Sequence, residues 1–403
     1  MSKQGTTHLH IPGGFTWSSA TAGIKASGRP DVAFAEARLG ASAAAVFTRN
    51  RVVAAPVEVG REHLAATEGR VRAVLVNAGN ANCATGKPGL KAARDTCAAL
   101  GKALEAAPEF VVPSSTGIIG VALPVKKLIG AIPEVVTERS SGEGAVRAFA
   151  DAIMTTDTVP KIASAAITAD GEKVAVLGIA KGSGMIHPNL ATMLVYIFTD
   201  VDASPRELQE HLDAAVATSF NAMSVDGDTS TNDTVLLLAS GTSRVKLKPG
   251  KAAKAFGEAL QSVCQSLAEQ IVRDGEGARH LIRLKIEQAR DMDEARVIAR
   301  SIANSPLVKT AWAGCDPNWG RILSSVGKSG VDVDASKVHI FFGRQQVCRK
   351  GMAHPFNERE AHKFLQQPEY EIRVQLGRGR SALTFLTCDL TADYVRINAD
   401  YST

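Results

Sequence analysis

The chain has 403 residues, 45% of them hydrophobic and 22% charged. This is enough apolar chain for a sizeable core and is unlike a disordered, collagen-like or membrane-embedded protein. Forty-six Lys and Arg against 41 Asp and Glu leave a net charge of +5, and 5% of residues are aromatic, which argues against a nucleic-acid partner. The apolar run at 193–198 is far shorter than the roughly 18 residues of a membrane helix, and residues 1–14 hold no apolar signal core, so no membrane partner and a cytoplasmic location are expected.

Apolar β-rich runs alternate with Ala-rich helical patterns, which predicts an α/β or α+β class. In chain order the clearest strands are expected at 71–76, 174–179, 193–199, 235–238, 281–286, 338–342, 370–376 and 383–387. Ser204-Pro205-Arg206-Glu207 places an N-cap serine, a first-turn proline and an N3 glutamate ahead of a helix expected to run to Ala222. The longest helical pattern, 251–272, is stopped by Gly275 and Gly277. A helix near 293–303 and a Pro/Gly/Trp-rich loop at 306–320 follow, and Asn357 to Glu360 repeats the capping logic. A domain boundary is expected near 280, giving units 1–280 and 281–403.

The six cysteines lie far apart, with no Cys-x-x-Cys pair and no His-x-x-x-His spacing. They read as reduced, mostly buried thiols, with Cys315 the candidate for a reactive one, and no metal is expected. Around Lys181 a strand gives way to a glycine-rich polar loop, and a second apolar strand opens at Thr192. The loop fits neither a P-loop nor a Gly-x-Gly-x-x-Gly turn. His187 has no serine and carboxylate tied to it by sequence, and Thr192 taken alone is a β-branched residue at a strand start. The segment Asp226 to Asp233 is rich in carboxylates and hydroxyls but lacks the register of a calcium loop, so it reads as a hydrogen-bonded turn network.

The Ala191-Thr192 junction, with the loop before it, resembles the self-cleaving segment of the ornithine acetyltransferase family, the bifunctional glutamate N-acetyltransferases of arginine biosynthesis. Matching segments occur in the same order along the chain: Val46-Phe47-Thr48 with Ala54-Ala55-Pro56, Asn77-Ala78-Gly79-Asn80-Ala81-Asn82, Ser115-Thr116-Gly117-Ile118-Ile119-Gly120 and Thr155-Thr156-Asp157-Thr158. Beyond the junction come the segments 224–233, 273–278, 314–320 and 394–401.

The resemblance implies a four-layer α/β/β/α sandwich, shared with L-aminopeptidase/D-esterase enzymes, and a smaller C-terminal α+β domain. It implies autoproteolysis between Ala191 and Thr192 into chains 1–191 and 192–403, assembled as an α2β2 heterotetramer. Thr192 is the implied nucleophile, with its freed α-amine as base, a coherent pairing because a threonine hydroxyl is weak until its proton is taken. Thr116 and Gly117 match the oxyanion hole, and Thr155, Lys181, Thr192, Glu276, Asn398 and Thr403 match substrate contacts. The implied reaction is ping-pong transfer of acetyl from N-acetylornithine to glutamate without a cofactor, with acetyl-CoA as a candidate second donor. Arg279, His280 and Ser402 depart from the family pattern beside these contacts. Two other readings of the residues are a self-processed aminopeptidase or amidase that passes the acyl group to water, and an uncleaved relative that only binds an amino acid or a partner subunit.

Overall fold

A computed structural model describes residues 8–169, 171–187 and 193–400. The first half of the chain runs β1 (Phe15–Ala20), β2 (Val32–Phe47), α1 (Ala55–Ala66), β3 (Arg70–Asn80), α2 (Gly86–Ala103), β4 (Val111–Ile118), α3 (Val125–Gly130), α4 (Ile132–Thr137), α5 (Glu143–Ile153), β5 (Lys161–Ala169) and β6 (Glu172–Lys181). It continues through β7 (Leu194–Thr199), α6 (Pro205–Ala217), β8 (Met223–Ser224), β9 (Thr234–Ala239) and α7 (Lys251–Arg273). The remainder is β10 (Leu281–Ala289), α8 (Met292–Ala303), α9 (Pro306–Ala313), α10 (Trp319–Gly327), β11 (His339–Phe342), β12 (Gln345–Arg349), β13 (Met352–Ala353), α11 (Glu358–Leu365), β14 (Glu369–Gln375), β15 (Ser381–Cys388) and α12 (Ala392–Asp400).

Strand β2 organises the larger sheet, whose order is β4-β3-β2-β9-β7-β6-β5 with β1 on the side of β2. Its first part pairs with β1 and β3, and its second part, after a register shift between Glu36 and Ala41, pairs with β9. The sheet thereby folds into two halves that face each other. Period-two alternation assigns side chains to layers: Leu194, Tyr196 and Phe198 of β7 share the interior with Ala33 and Ala35 of β2, whereas Val195 and Ile197 point to the outer core. Phe15 and Trp17 of β1 each meet Phe198 edge-on at 5.2 Å, joining the halves; such ring pairs add about 0.5–1.5 kcal/mol beyond their burial. Helices α1 to α4 cover one half, α6 and α7 the other, and α5 inserts between them. The result is a four-layer α/β/β/α sandwich.

The second sheet, β13-β12-β11-β14-β10-β15-β8, carries α8, α9 and α10 on one face. Its edge strand β8 comes from before residue 280 and pairs with β15, while Leu281, Leu386 and Cys388 join the α6–α7 core. The two sheets are thus tied together through β8 and α7. No described helix is long and apolar enough to cross a membrane.

All eight strand readings correspond to observed strands, and Ser204 forms the capping box with Glu207. Two local expectations need correction. Helix α6 stops at Ala217 and not Ala222, because the Ser219 hydroxyl bonds back to the Ala215 carbonyl at 2.6 Å and turns Phe220–Ala222 into a 3-10 turn. The 306–320 segment is mostly helical: Pro306 sits in the first turn of α9, where a missing N–H costs nothing, and Val308, Ala311 and Trp312 are buried. Asn398 lies on helix α12.

Candidate active site

The site begins where the parallel pair β3 and β4 ends. Ala78 pairs with Thr116 and Gly79 with Gly117. Gly117 has φ +131°, and a Cβ there would stand 2.3 Å from the Gly79 carbonyl carbon, so the close approach of the two backbones admits only glycine. The Asn77–Asn82 motif supports this end: Ser115 Oγ donates to Asn77 Oδ1 at 2.6 Å, and Asn77 Nδ2 donates to the Asn80 carbonyl at 2.8 Å. From the other half of the sheet, Asn232 Nδ2 donates to the carbonyls of Ala81 at 2.7 Å and Ser115 at 2.9 Å.

The second wall is the β6–β7 hairpin, whose mouth is closed by the Lys181–Leu194 pair. Lys181 is 2% exposed. Its ammonium donates to Thr116 Oγ1 and Thr155 Oγ1, each at 3.0 Å. Burial pushes the Lys181 pKa down, with the Asp157 carboxylate acting against that shift and Lys161 adding to it. Asp157 is the hub beneath: it accepts from Lys161 Nζ at 2.7 Å, the Gly182 N–H at 2.6 Å and the Thr155 N–H at 3.1 Å. Burial works to raise the Asp157 pKa, but Lys181, Lys161 and the Gly182 N–H outweigh it and hold the carboxyl below its ordinary range. Lys161 Nζ also meets Asp274 at 2.6 Å.

The third wall comes from after the hairpin. Glu276 is held by its N–H on the Ser183 carbonyl at 2.9 Å, and its carboxylate accepts from Asn398 Nδ2 at 2.9 Å. Gly184 lies against that carboxylate; a Cβ at residue 184 would stand 2.4 Å from it. Asp226 accepts from the N–H groups of Met185 at 2.5 Å, Ile186 at 2.9 Å and Asp228 at 3.2 Å, the turn network expected from its composition. Burial raises the Asp226 pKa despite these donors.

One pocket is lined by all six described candidates: Thr116, Gly117, Thr155, Lys181, Glu276 and Asn398. Ala191, Thr192 and Thr403 lie outside the described residues. His187 does not line the pocket. Five cysteines are buried, and burial followed by the Asp389 charge pushes up the pKa of the sixth, Cys315, opposite to what an activated thiol requires. Tyr394 also lines the pocket, its hydroxyl donating to Asp226 Oδ2 at 3.4 Å, and Asp233 accepts from the Met193 N–H at 2.9 Å. Asp157, Lys161, Asp226, Asp233 and Tyr394 are not singled out individually by the sequence; all but Lys161 fall in the quoted motifs, which are the available signal.

Hydroxyl and backbone donors on a glycine turn, a buried cation and a facing carboxylate in one pocket of an α/β/β/α sandwich define an acyl-transfer type of site. Residues 16–403 match the ArgJ family. The arginine biosynthesis bifunctional protein ArgJ of Methylococcus capsulatus is 47% identical over 394 residues, 97% of this chain and 95% of that one. Its counterpart from Chlorobaculum tepidum is 43% identical over 390 residues, 97% of this chain and 96% of that one. A crystal structure of the Bacillus halodurans arginine biosynthesis bifunctional protein has 41% identity and a TM-score of 0.50, covering 51% of this chain and 98% of the solved chain. The chain belongs to the ArgJ family, acyltransferases of arginine biosynthesis.

Proposed function

We propose that this protein transfers acetyl from N-acetylornithine to glutamate through an ester on Thr192, after cutting itself between Ala191 and Thr192. The observation that carries this reading is the convergence of the six described candidates on one pocket at the mouth of the β6–β7 hairpin, whose loop contains the junction. The half-length solved relative, almost wholly matched by half of this chain, supports a two-chain product.

In the first half-reaction the Thr192 hydroxyl attacks the acetyl carbonyl, its proton passing to the Thr192 α-amine and then to the departing ornithine nitrogen. In the second, the glutamate amine attacks the ester and Thr192 regains its hydroxyl. A carbonyl oxygen gains negative charge in each half-reaction. Thr116 and the Gly117 N–H are the donors for it, and such a donor contributes about 2.7–4 kcal/mol to the transition state. With Lys181 donating to Thr116 Oγ1, the threonine's own hydrogen is left to point at that charge. Lys181 also suits a substrate carboxylate, and Glu276, fixed by Asn398, suits an ammonium group.

No cofactor is required by this chemistry. The family's bifunctional description supports acetyl-CoA as a second donor at the same threonine; glutamate-dependent release of CoA thiol tests it, and no release rejects it. We further place the enzyme in the cytoplasm as an α2β2 assembly, for which light scattering should give twice the 42.4 kDa of one precursor. The main test is acetyl-labelled N-acetylornithine. One labelled acetyl on the chain that begins at residue 192, discharged to N-acetylglutamate when glutamate is added, is the expected result. Acetate release indifferent to glutamate would make the protein an amidase instead.

A further inference from the structure

Asp233, just before β9, is a fully buried carboxyl that the reading above does not use. Its Oδ1 accepts the Met193 N–H at 2.9 Å, and the Thr234 N–H donates to the Met193 carbonyl at 3.2 Å, so the entry to β9 grips residue 193 by both backbone groups. Oδ2, equally buried, has no hydrogen bond of good geometry among the described residues; the nearby Ser230 hydroxyl is the one side-chain donor that bears on the carboxyl. No Lys, Arg or His stands within ion-pair distance of Asp233 among the described residues; the charge that bears on it is that of Lys181 on β6, which itself faces Asp157, Lys161 and Glu276.

A buried carboxyl with so few donors and no described cation in contact is expensive. Burial accordingly pushes the Asp233 pKa well above the usual carboxylate range, against the Met193 N–H, the Ser230 hydroxyl and the Lys181 charge. Such a group is suited to a cation that the intact chain does not contain. Chain cleavage before residue 192 creates one, a primary amine on the residue covalently joined to Met193, whose Cα lies about 3.8 Å from that of its neighbour.

We infer that Asp233 is a positioning residue that orients the α-amine of Thr192 in the processed chain and stabilises the ammonium formed when that amine takes the hydroxyl proton. This rests on the Thr192 reading. The Thr192 O–H bond breaks and an N–H bond forms, Asp233 stays a carboxylate throughout, and the ammonium hands the proton to the leaving amine of ornithine. The carboxylate thus does for the amine what the aspartate of a serine-protease triad does for its histidine.

Asp233→Asn tests this, because a carboxamide oxygen still accepts from Met193 N–H. With cleavage first verified by intact mass, kcat should fall about 100-fold, with the KM for N-acetylornithine little changed. The acid limb of the kcat/KM profile should move to lower pH, since losing a nearby negative charge lowers the amine pKa. A kcat within a few-fold of wild type, or a fall in kcat with the acid limb unmoved, overturns the assignment. Should Asp233→Asn stay uncut, Asp233→Glu decides: a cut, active chain with the wild-type acid limb supports the carboxylate's role, and an uncut or inactive one overturns it. Failure of the Thr192 reading itself looks different, as an uncut wild-type chain.

Discussion

The Lys181 ammonium donates to the Thr116 hydroxyl at 3.0 Å across the pocket. Because ammonium can only donate, Thr116 is compelled to accept from it, and its hydrogen is available to a second acceptor. Thr116→Ala should therefore lower kcat for acetyl transfer by about 100- to 1000-fold while leaving the melting temperature near wild type. Thr116→Ser, which keeps the hydroxyl, should recover most of that loss. Steady-state kinetics of both variants check this.

Two buried aspartates should respond to the same substitution in opposite senses. The Asp157 pKa is held below the usual range by Lys181 and Lys161. Its contribution to stability is present above the unfolded value of about 3.9 and is lost as pH falls through the lower native value. Asp157→Asn should cost about 3 kcal/mol at pH 7, because it breaks the buried pair with Lys161. The Asp233 pKa is raised by burial, so its contribution is present below about 3.9 and is lost as pH rises through the higher native value. Added to the uncut Thr192→Ala chain, Asp233→Asn should raise stability at pH 8 and bring less gain towards pH 4. Urea unfolding at the two pH values measures both effects.

Two glycines of the pocket are expected to reject even a methyl group, with different consequences. Gly117→Ala forces a Cβ against the rigid backbone at Gly79, so it should cost about 2–3 kcal/mol of stability as well as activity. At Gly184 the obstacle is the Glu276 side chain, which can move. Gly184→Ala should keep the fold and raise the substrate KM by displacing that carboxylate. Thermal melts with kinetics separate the two outcomes.

A control lies far from the chemistry. Ser204 accepts from the Glu207 N–H and Glu207 accepts from the Ser204 N–H, completing the capping box of α6. Ser204→Ala should cost about 1 kcal/mol in denaturant unfolding with unchanged acetyl-transfer kinetics.

The legible parts of the fold are those with unambiguous local chemistry. Strands β7 and β9 are short, fully buried apolar runs, and the Ser204 helix start carries its own cap. Strand β2 is the longest described strand, yet seven of its sixteen residues are alanine and one is glycine, so its β character comes from pairing on both sides and not from its residues. Helix α9 was hidden because Pro306 reads as a loop signal unless the burial behind it is known. At the site, hydroxyl, lysine and glutamate candidates were legible through family motifs. The supporting carboxylates were not, since a single Asp in sequence carries no sign of its burial. Nor does it reveal partners as distant as Lys161 is from Asp274, 113 residues away.

Intact mass spectrometry under denaturing conditions, on the purified wild type beside Thr192→Ala, decides whether the chain cuts itself before Thr192. Two wild-type chains, residues 1–191 and 192–403, and a single uncut chain in the variant are the expected result. A wild type that remains one chain of 42.4 kDa yet transfers acetyl to glutamate would contradict it.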